Sequence, residues 1–460
     1  MTGEQPRQKL GRRQLFKYAG GAAAMAGGAG LVARWKGPVL NPLSVDRADA
    51  AVPVMPAGSD IYIGGTDGWI SLPATPTIPT FHPDILAPSP YTTYIFGFRN
   101  ITELDGTQRA NQKNHAQHNA PLFWVNATPL GSTTNFKVSI TNLGLAQRPD
   151  LFDAHTLHWH GLRDVIPFFD GEPTGSVAVG PGSVFTYAYR PHDPGTYMYH
   201  CHVEDVEHVQ MGMTGLVFVR PLLGPKFAYE DASTAFDREY AMFLSEVWAE
   251  AHWADAHIQL PEWSDYHPDF SLLNGRVYPD TIEPNAPTGL TPAQEAAWTK
   301  PYLPVSVDAG GDLVGPAGKP NLNRQPHSSL VTCNAGEKVL LRFANLGFKE
   351  AAMTTTGLAM RVVGRDATPM RGKVPGGART ASGVDTSYET NTISIGAGES
   401  YDVIINAPAH SGGTGPDKYV LYNRNFARLS NLSTGGLGGQ ATEIHVHPTG
   451  TLAAQTLPNH

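Results

Sequence analysis

The side chains of this chain that could do chemistry crowd into two short segments. The first reads Asp153-Ala154-His155-Thr156-Leu157-His158-Trp159-His160-Gly161. The second reads Gly195-Thr196-Tyr197-Met198-Tyr199-His200-Cys201-His202 and runs on through His208 to Met211-Gly212-Met213. Between residues 153 and 213 lie seven of the chain's 18 histidines and one of its 2 cysteines. A lone histidine in a strand is usually a packed or solvated side chain. Imidazoles, a thiol and thioethers at this density have the spacing of metal ligands.

Strand geometry sorts these residues, because side chains alternate faces with a period of two. In the second segment Thr196, Met198, His200 and His202 share one face, and Tyr197, Tyr199 and Cys201 share the other. In an extended first segment His158 and His160 share a face, and His155 takes the opposite one. His155 and Cys201 can therefore meet on one side and four histidines on the other. The first group suits a blue-copper (type 1) site, which takes two imidazoles and a thiolate in a plane with a weak axial thioether. His208, on a loop free to curl back over the end of the fold, supplies the second imidazole. Met213 supplies the thioether, since Gly212 before it permits a turn, and Met211 is its rival. The second group, His158, His160, His200 and His202, resembles half of a further copper site. Asp153, Asp164 and Glu204 are its candidate outer partners. Peptide bonds join Cys201 directly to His200 and His202, so an electron on the thiolate has a short covalent path to the second group. Cys201, His200 and His202 thus carry the expected catalytic role.

The elements that position these groups read as short strands. Gly at 49, Pro at 38 and only 16% charged residues suit a turn-rich all-β chain. Alternating runs occur at 135–141, 183–189 and 215–219, and after a Pro/Gly-rich junction at 220–226 they resume near Glu239. Later runs lie at 338–343, 360–363, 392–395, 401–405, 418–422 and 441–446, with a short helix expected within 291–300. The pattern predicts two Greek-key β-sandwich domains, a metal-binding one over 51–222 and a second over 237–450 without an evident copper site of its own. The formal charge of −8 excludes nucleic acid as a partner, and no Lys/Arg run offers an anionic membrane a docking site.

Residues 1–50 read as an export signal and linker. Arg12-Arg13 precedes a weakly apolar stretch, Tyr18 to Ala33, that is too short and mild to span a bilayer stably. Such a twin-arginine pair resembles a Tat signal, which exports folded proteins, and Ala48-Asp49-Ala50 is a candidate cleavage site. The expected compartment is periplasmic, extracellular or the cell surface. A Cys201–Cys333 disulfide stays open at this point, although Ser-Leu-Val-Thr-Cys333-Asn reads better as a strand with a buried free thiol.

His155-x-x-His158-x-His160 and His200-Cys201-His202 resemble the copper motifs of multicopper oxidases such as laccases, and His158-Trp-His160-Gly161 is also similar to that family's first-domain motif. The resemblance extends more weakly to Asn274-Gly-Arg-Val-Tyr-Pro-Asp-Thr281, Leu341-Arg-Phe-Ala-Asn-Leu346 and Asp402-Val-Ile-Ile-Asn-Ala407. It implies two cupredoxin-like domains, type 1 copper with additional type 2/type 3-like copper, a small-molecule or metal-ion reductant, and O2 as acceptor. Three departures qualify it. The six residues between Cys201 and His208 exceed the usual oxidase loop. The histidines that would complete a three-copper cluster are not evident in the second block. Tyr419-Val-Leu-Tyr-Asn-Arg424-Asn resembles the copper nitrite reductase strand that carries a ligand, but a guanidinium is no copper ligand. His115, His118, His252, His257, His445 and His447 are weaker candidates, and a homo-oligomer could complete the second site. A nitrite-reductase-like two-copper enzyme and a non-enzymatic copper or electron carrier are the alternatives.

Overall fold

A computed structural model describes residues 55–163, 165–372, 383–432 and 435–460. The expected export segment and Asp164 lie outside the described residues. Among the described residues, no helix is long and apolar enough to cross a membrane.

The alternating runs form strands close to where the sequence places them. The first eight are β1 (Ile61–Ile70), β2 (Thr93–Asn100), β3 (Phe123–Asn126), β4 (Phe136–Gly144), β5 (His158–His160), β6 (Val184–Tyr189), β7 (Gly195–His200) and β8 (Thr214–Arg220). They pair into two four-stranded sheets, β2-β1-β4-β6 and β3-β8-β7-β5. Each sheet holds one parallel pair, β1 with β4 and β3 with β8. A parallel pair cannot be closed by a tight hairpin, so the chain crosses between sheets as in a Greek-key sandwich. Phe96, Phe98, Phe123, Trp159, Tyr199 and Val217 belong to the core between them.

The remaining strands are β9 (Arg238–Val247), β10 (Phe270–Leu273), β11 (Val331–Asn334), β12 (Lys338–Asn345), β13 (Ala351–Thr355), β14 (Met360–Arg365), β15 (Thr368–Pro369), β16 (Tyr388–Thr390), β17 (Thr392–Ile395), β18 (Ser400–Asn406), β19 (Asp417–Asn423) and β20 (Ala441–His447). One sheet runs β10-β9-β12-β18-β14-β15, with β16 also on β14, and the other runs β11-β20-β19-β13-β17. Met242, Leu341, Phe343, Met353, Val403 and Val446 lie in their common core. Among the described residues four short α-helices interrupt the strands: α1 (Gly106–Ala110), α2 (Asp205–Met211), α3 (Ala249–Ala256) and α4 (Pro292–Ala296). The last is the helix expected within 291–300, started by a Thr291/Gln294 capping box with Pro292 in the first turn.

Strand β7 is buried along its whole length. Tyr197 and Tyr199 enter the first core, while Met198 points the other way and packs with Leu216, Phe218, Phe243 and Ala344. A charged network crosses the same contact. Arg342 on β12 bonds Glu239 Oε2 at 3.1 Å and Asp402 Oδ1 at 3.3 Å, with its guanidinium over the Phe218 ring. Asp402 also accepts from Thr196 Oγ1 at 2.5 Å and from Tyr229 OH at 2.6 Å. The two sandwiches are thus held together by buried apolar area and by a charge cluster in which every member has a partner.

Removing one member of a buried charge cluster strands the others. Arg342→Ala is expected to cost about 3–5 kcal/mol of unfolding free energy. Arg163→Ala, which removes an exposed pair with Asp193, is expected to cost under about 1 kcal/mol. Guanidinium denaturation of both variants measures the difference, and equal small losses would refute the role given to Arg342.

Candidate metal centre

Strand β7 ends at His200, and the next residue, Cys201, continues the ladder by donating its N–H to Met213 O at 3.1 Å. Alternation sends the Cys201 side chain into the first core, where it is fully buried. The 155–157 segment lies beside it. His155 exchanges both backbone hydrogen bonds with Val179 at 2.9 Å. Thr156 ties the two motifs together, its N–H reaching Cys201 Sγ at 3.4 Å and its Oγ1 accepting from His202 N at 2.9 Å.

The six residues after Cys201 do not form an open loop. Glu204, in left-handed backbone, begins α2, and Gly212 at φ 116 ends it. This turn of helix carries His208 Nδ1 to 3.2 Å from Cys201 Sγ, while His155 Nδ1 stands at 4.0 Å. His155, Cys201 and His208 bring their ligand atoms within 4.8 Å of one another, the one such trio among the described residues. Gly65 in β1 makes room for them. A Cβ there would sit 2.8 Å from His155 Cδ2 and 3.4 Å from Met213 Cε, so Met213 reaches the same wall as His155. Met211 is buried at the end of α2. On the far side of Gly212, a Cβ would lie 2.6 Å from His118 Nδ1.

The electrostatics suit a thiolate. Burial alone raises a thiol's pKa. At Cys201 that effect is overturned by His208 and then His155, and the thiol lies well below its ordinary value. Burial likewise opposes charge on His208, but the adjacent Cys201 and Asp153, whose carboxylate is 3.5 Å from Nε2, hold its pKa well above normal. Cys333 shows burial without such neighbours. Its thiol is pushed up to about 12 and both cysteines are free, so the disulfide reading falls.

The four histidines gather on the opposite face. His158 stands 5.2 Å from His200 and 5.0 Å from His202, ring centre to ring centre, and His160 stands 5.9 Å from His200. Three Nδ1 atoms are engaged by carbonyls: His158 with Asp170 O at 2.7 Å, His160 with Gly398 O at 3.0 Å, and His200 with Cys201 O at 2.9 Å. Each of these leaves Nε2 for a metal. Burial pushes His200 down to about 3, and burial also lowers His158, so both are neutral at pH 7 as a ligand must be. The cluster opens outward, from buried His200 to exposed His160.

The outer partners differ from those the sequence suggests. Asp153 serves His208 rather than the four-histidine cluster, and Glu204 begins α2. Main-chain carbonyls fill that role, one of them from the turn before β18, and the Asp170 carboxylate stands 3.5 Å from His158 Nδ1. The other candidate histidines have separate surroundings. His115 lies 3.6 Å from Asp312, His252 Nδ1 bonds Tyr94 O at 2.6 Å, His257 pairs with Asp84 at 2.9 Å, and His445 pairs with Glu443 at 2.6 Å. His118 is buried behind Gly212, and His447 lies on β20 with His445. Arg424 is exposed just past β19. Thr156, Gly65 and Gly398 had no signal in the sequence, because each matters only through a contact with a distant segment.

Donor set and surroundings fit copper. A soft thiolate, two imidazoles and a nearby thioether, all buried, are ligands copper favours, and the outward imidazoles suit a harder second site.

Comparison with known proteins agrees. Residues 107–223 match the multicopper oxidase family model. The chain is 25% identical over 302 residues to multicopper oxidase MmcO of Mycobacterium tuberculosis, covering 65% of this chain and 48% of that protein. It is 26% identical over 276 residues to copper resistance protein A of Pseudomonas syringae pv. tomato, covering 58% and 40%. The chain therefore spans about half the length of these curated relatives. Among solved structures, the blue copper oxidase from Nitrosomonas europaea superposes with a TM-score of 0.53 at 20% identity, over 84% of this chain and 85% of that one. The multicopper oxidase mgLAC gives 0.51 at 18%, over 86% and 87%. The fold is the all-β cupredoxin fold of these neighbours.

Proposed function

We propose that this chain, which carries a multicopper oxidase domain, is a multicopper-oxidase-like oxidoreductase that takes electrons from a small-molecule or metal-ion reductant and delivers them to O2. The observation that carries the reading is the junction at Cys201. Its thiolate belongs to the buried trio with His155 and His208, while its two chain neighbours belong to the four-histidine cluster. In this reading His155, Cys201, His208 and Met213 would hold a type 1 copper, and His158, His160, His200 and His202 would hold further copper of type 2 or type 3 character. Bound copper would supply a one-electron couple at each site. Residues 51–222 are then the copper-binding domain, and 237–450 a second cupredoxin-like domain without a centre of its own.

The residues' own contributions follow from their bonds. Thr156 N–H directs a hydrogen bond at the sulfur and so withdraws electron density from it, which favours the reduced state of the site. Asp153 orients His208 through Nε2 and leaves Nδ1 toward the sulfur. Between the two sites the path is covalent along Cys201, and the His200 Nδ1–H to Cys201 O bond adds a route from that carbonyl into the imidazole ring. Four imidazoles supply only part of what a three-copper cluster needs, and exposed His160 leaves the cluster open on one side. A second copy of the chain is the proposed source of the missing ligands.

Copper titration of the full chain, followed by visible absorption, potentiometry and O2 uptake with a phenolic donor, tests this reading. The first equivalent is expected to produce a strong thiolate charge-transfer band that Cys201→Ser lacks. Met213→Leu should keep that band and raise the reduction potential, whereas Met211→Leu should leave the potential unchanged. Tight binding of further copper, with O2 uptake, is expected only at protein concentrations where the chain is assembled. A colourless wild type, a potential shift confined to Met211→Leu, or full turnover by a strict monomer would each contradict part of the assignment.

Export in the folded state through the Tat route is the reading that Arg12-Arg13 supports. The double change Arg12→Lys and Arg13→Lys should hold the protein in the cytoplasm. Unchanged export of that variant, followed by cell fractionation, would overturn it.

A further inference from the structure

A cavity of about 210 Å³ opens between the end of β2 and the segment that follows α4. It belongs to neither copper cluster. Arg99, which lines it, stands opposite Gly64 in the β1–β2 pairing, and its neighbour Phe98 is a core residue. The residues that line the cavity include none of the Cys201 trio and none of the four outward histidines.

Three polar side chains in the wall are almost fully buried yet have bonding capacity left over. Arg99 is 2% exposed, Gln117 3% and His327 4%. Arg99 donates from Nε to Gln112 Oε1 at 3.0 Å and from Nη2 to Gly311 O at 3.0 Å, and its Nη1 has no partner among the described residues. Gln117 donates from Nε2 to Asn119 O at 3.2 Å, which leaves Oε1 as an unused acceptor. Neither ring nitrogen of His327 is bonded among the described residues. None of these three atoms or rings is sealed into packing, unlike the unpartnered polar atoms elsewhere in the fold, such as Trp159 Nε1 and Arg276 Nη2. They face the cavity.

The charge balance points to an anion. Both hydrogen-bond partners of Arg99 are neutral, and Asp312, the carboxylate that favours its charge from beyond ion-pair distance, is already engaged by Arg324 at 3.0 Å and His115 at 3.6 Å. The one carboxylate in the wall, Glu103, is already taken by Tyr302 OH at 2.5 Å and Lys300 Nζ at 2.5 Å. Burial pushes Arg99 down only to about 10, so it is charged at neutral pH. Burial pushes His327 down to about 3, so it brings no second cation and offers a neutral imidazole. A buried cation with no directly paired counter-charge is costly, and a ligand carboxylate relieves that cost with a charge-assisted hydrogen bond. The rest of the wall is apolar, with Leu290, Trp298, Tyr302 and Leu303 prominent. A cavity of roughly 150 Å³ lined by aliphatic side chains accepts benzene, so this one has room for a single ring and a carboxylate.

We propose that this cavity binds a small arene carboxylate of the hydroxybenzoate class. The carboxylate meets Arg99 Nη1, the ring lies among the apolar residues, and Gln117 Oε1 and His327 take the ring hydroxyl. The site does not depend on the copper assignment, and its failure would leave that assignment standing.

Isothermal calorimetry on the full copper-loaded protein, with 4-hydroxybenzoate and its neutral isostere 4-hydroxybenzamide, tests the proposal. One saturable site is expected, with the acid bound at least about tenfold tighter than the amide, as one charge-assisted hydrogen bond implies. The same binding is expected after the copper is removed by chelation, which separates the cavity from coordination at the exposed histidines. Arg99→Met should abolish the preference for the acid. Leu303→Trp, which fills the cavity without touching a charge, should abolish binding and keeps the test valid if Arg99→Met fails to fold. No saturable binding, equal affinity for acid and amide, loss of binding with the copper, or wild-type affinity in Leu303→Trp would overturn it.

Discussion

The site depends on one constraint: β7 is buried on both faces, so its alternation has to place each side chain in one of two different environments. Tyr197, Tyr199 and Cys201 go into the core of the first sandwich. Thr196, Met198 and His200 go toward the second. A one-residue slip would put the thiol among the outward imidazoles and a histidine into the core. Register is held firmly here, because Met198 packs across the contact and Thr196 bonds Asp402. The charge cluster of Arg342, Glu239 and Asp402 thus does more than join the sandwiches. It fixes the strand whose end carries the chemistry.

Cys201 and Cys333 illustrate how much of reactivity comes from neighbours rather than from burial. Both thiols are buried. At Cys333 burial prevails and the thiol stays protonated. At Cys201 two imidazoles, one of them paired with Asp153, reverse the direction. The neighbouring imidazoles therefore favour the thiolate inside an aromatic core, where the low dielectric would otherwise oppose it. The exposed cluster follows another logic. Burial holds His200 and His158 below the ordinary imidazole range, and main-chain carbonyls orient three of the rings, with the Asp170 carboxylate also 3.5 Å from His158 Nδ1.

Much of this was legible in the sequence. Period-two alternation separates His155 from His158 and His160, and Cys201 from His200 and His202, and the rings do gather on the two sides. Strand positions were legible for the same reason, since an apolar–polar repeat over several residues leaves a β-strand few alternatives. What the sequence did not reveal depends on distant contacts. The stretch from Asp205 to Met211 has no strong helical repeat and still forms a helix, with Asp205 and Glu207 in its first turn and Gly212 in left-handed backbone at its end. Asp153 stands next to the first histidine motif in the chain but serves His208, which belongs to the other. Gly65 and Gly398 are ordinary glycines until a histidine ring is packed against each.

The central claim is that one copper is held by the Cys201 sulfur together with His155 and His208. X-ray absorption at the copper edge, on full-length protein loaded with a single equivalent, measures this directly. The account predicts one short sulfur scatterer with two imidazole nitrogens, the sulfur disappearing in Cys201→Ser. A first equivalent surrounded only by nitrogen and oxygen would mean that copper enters the outward histidines instead, and would contradict it.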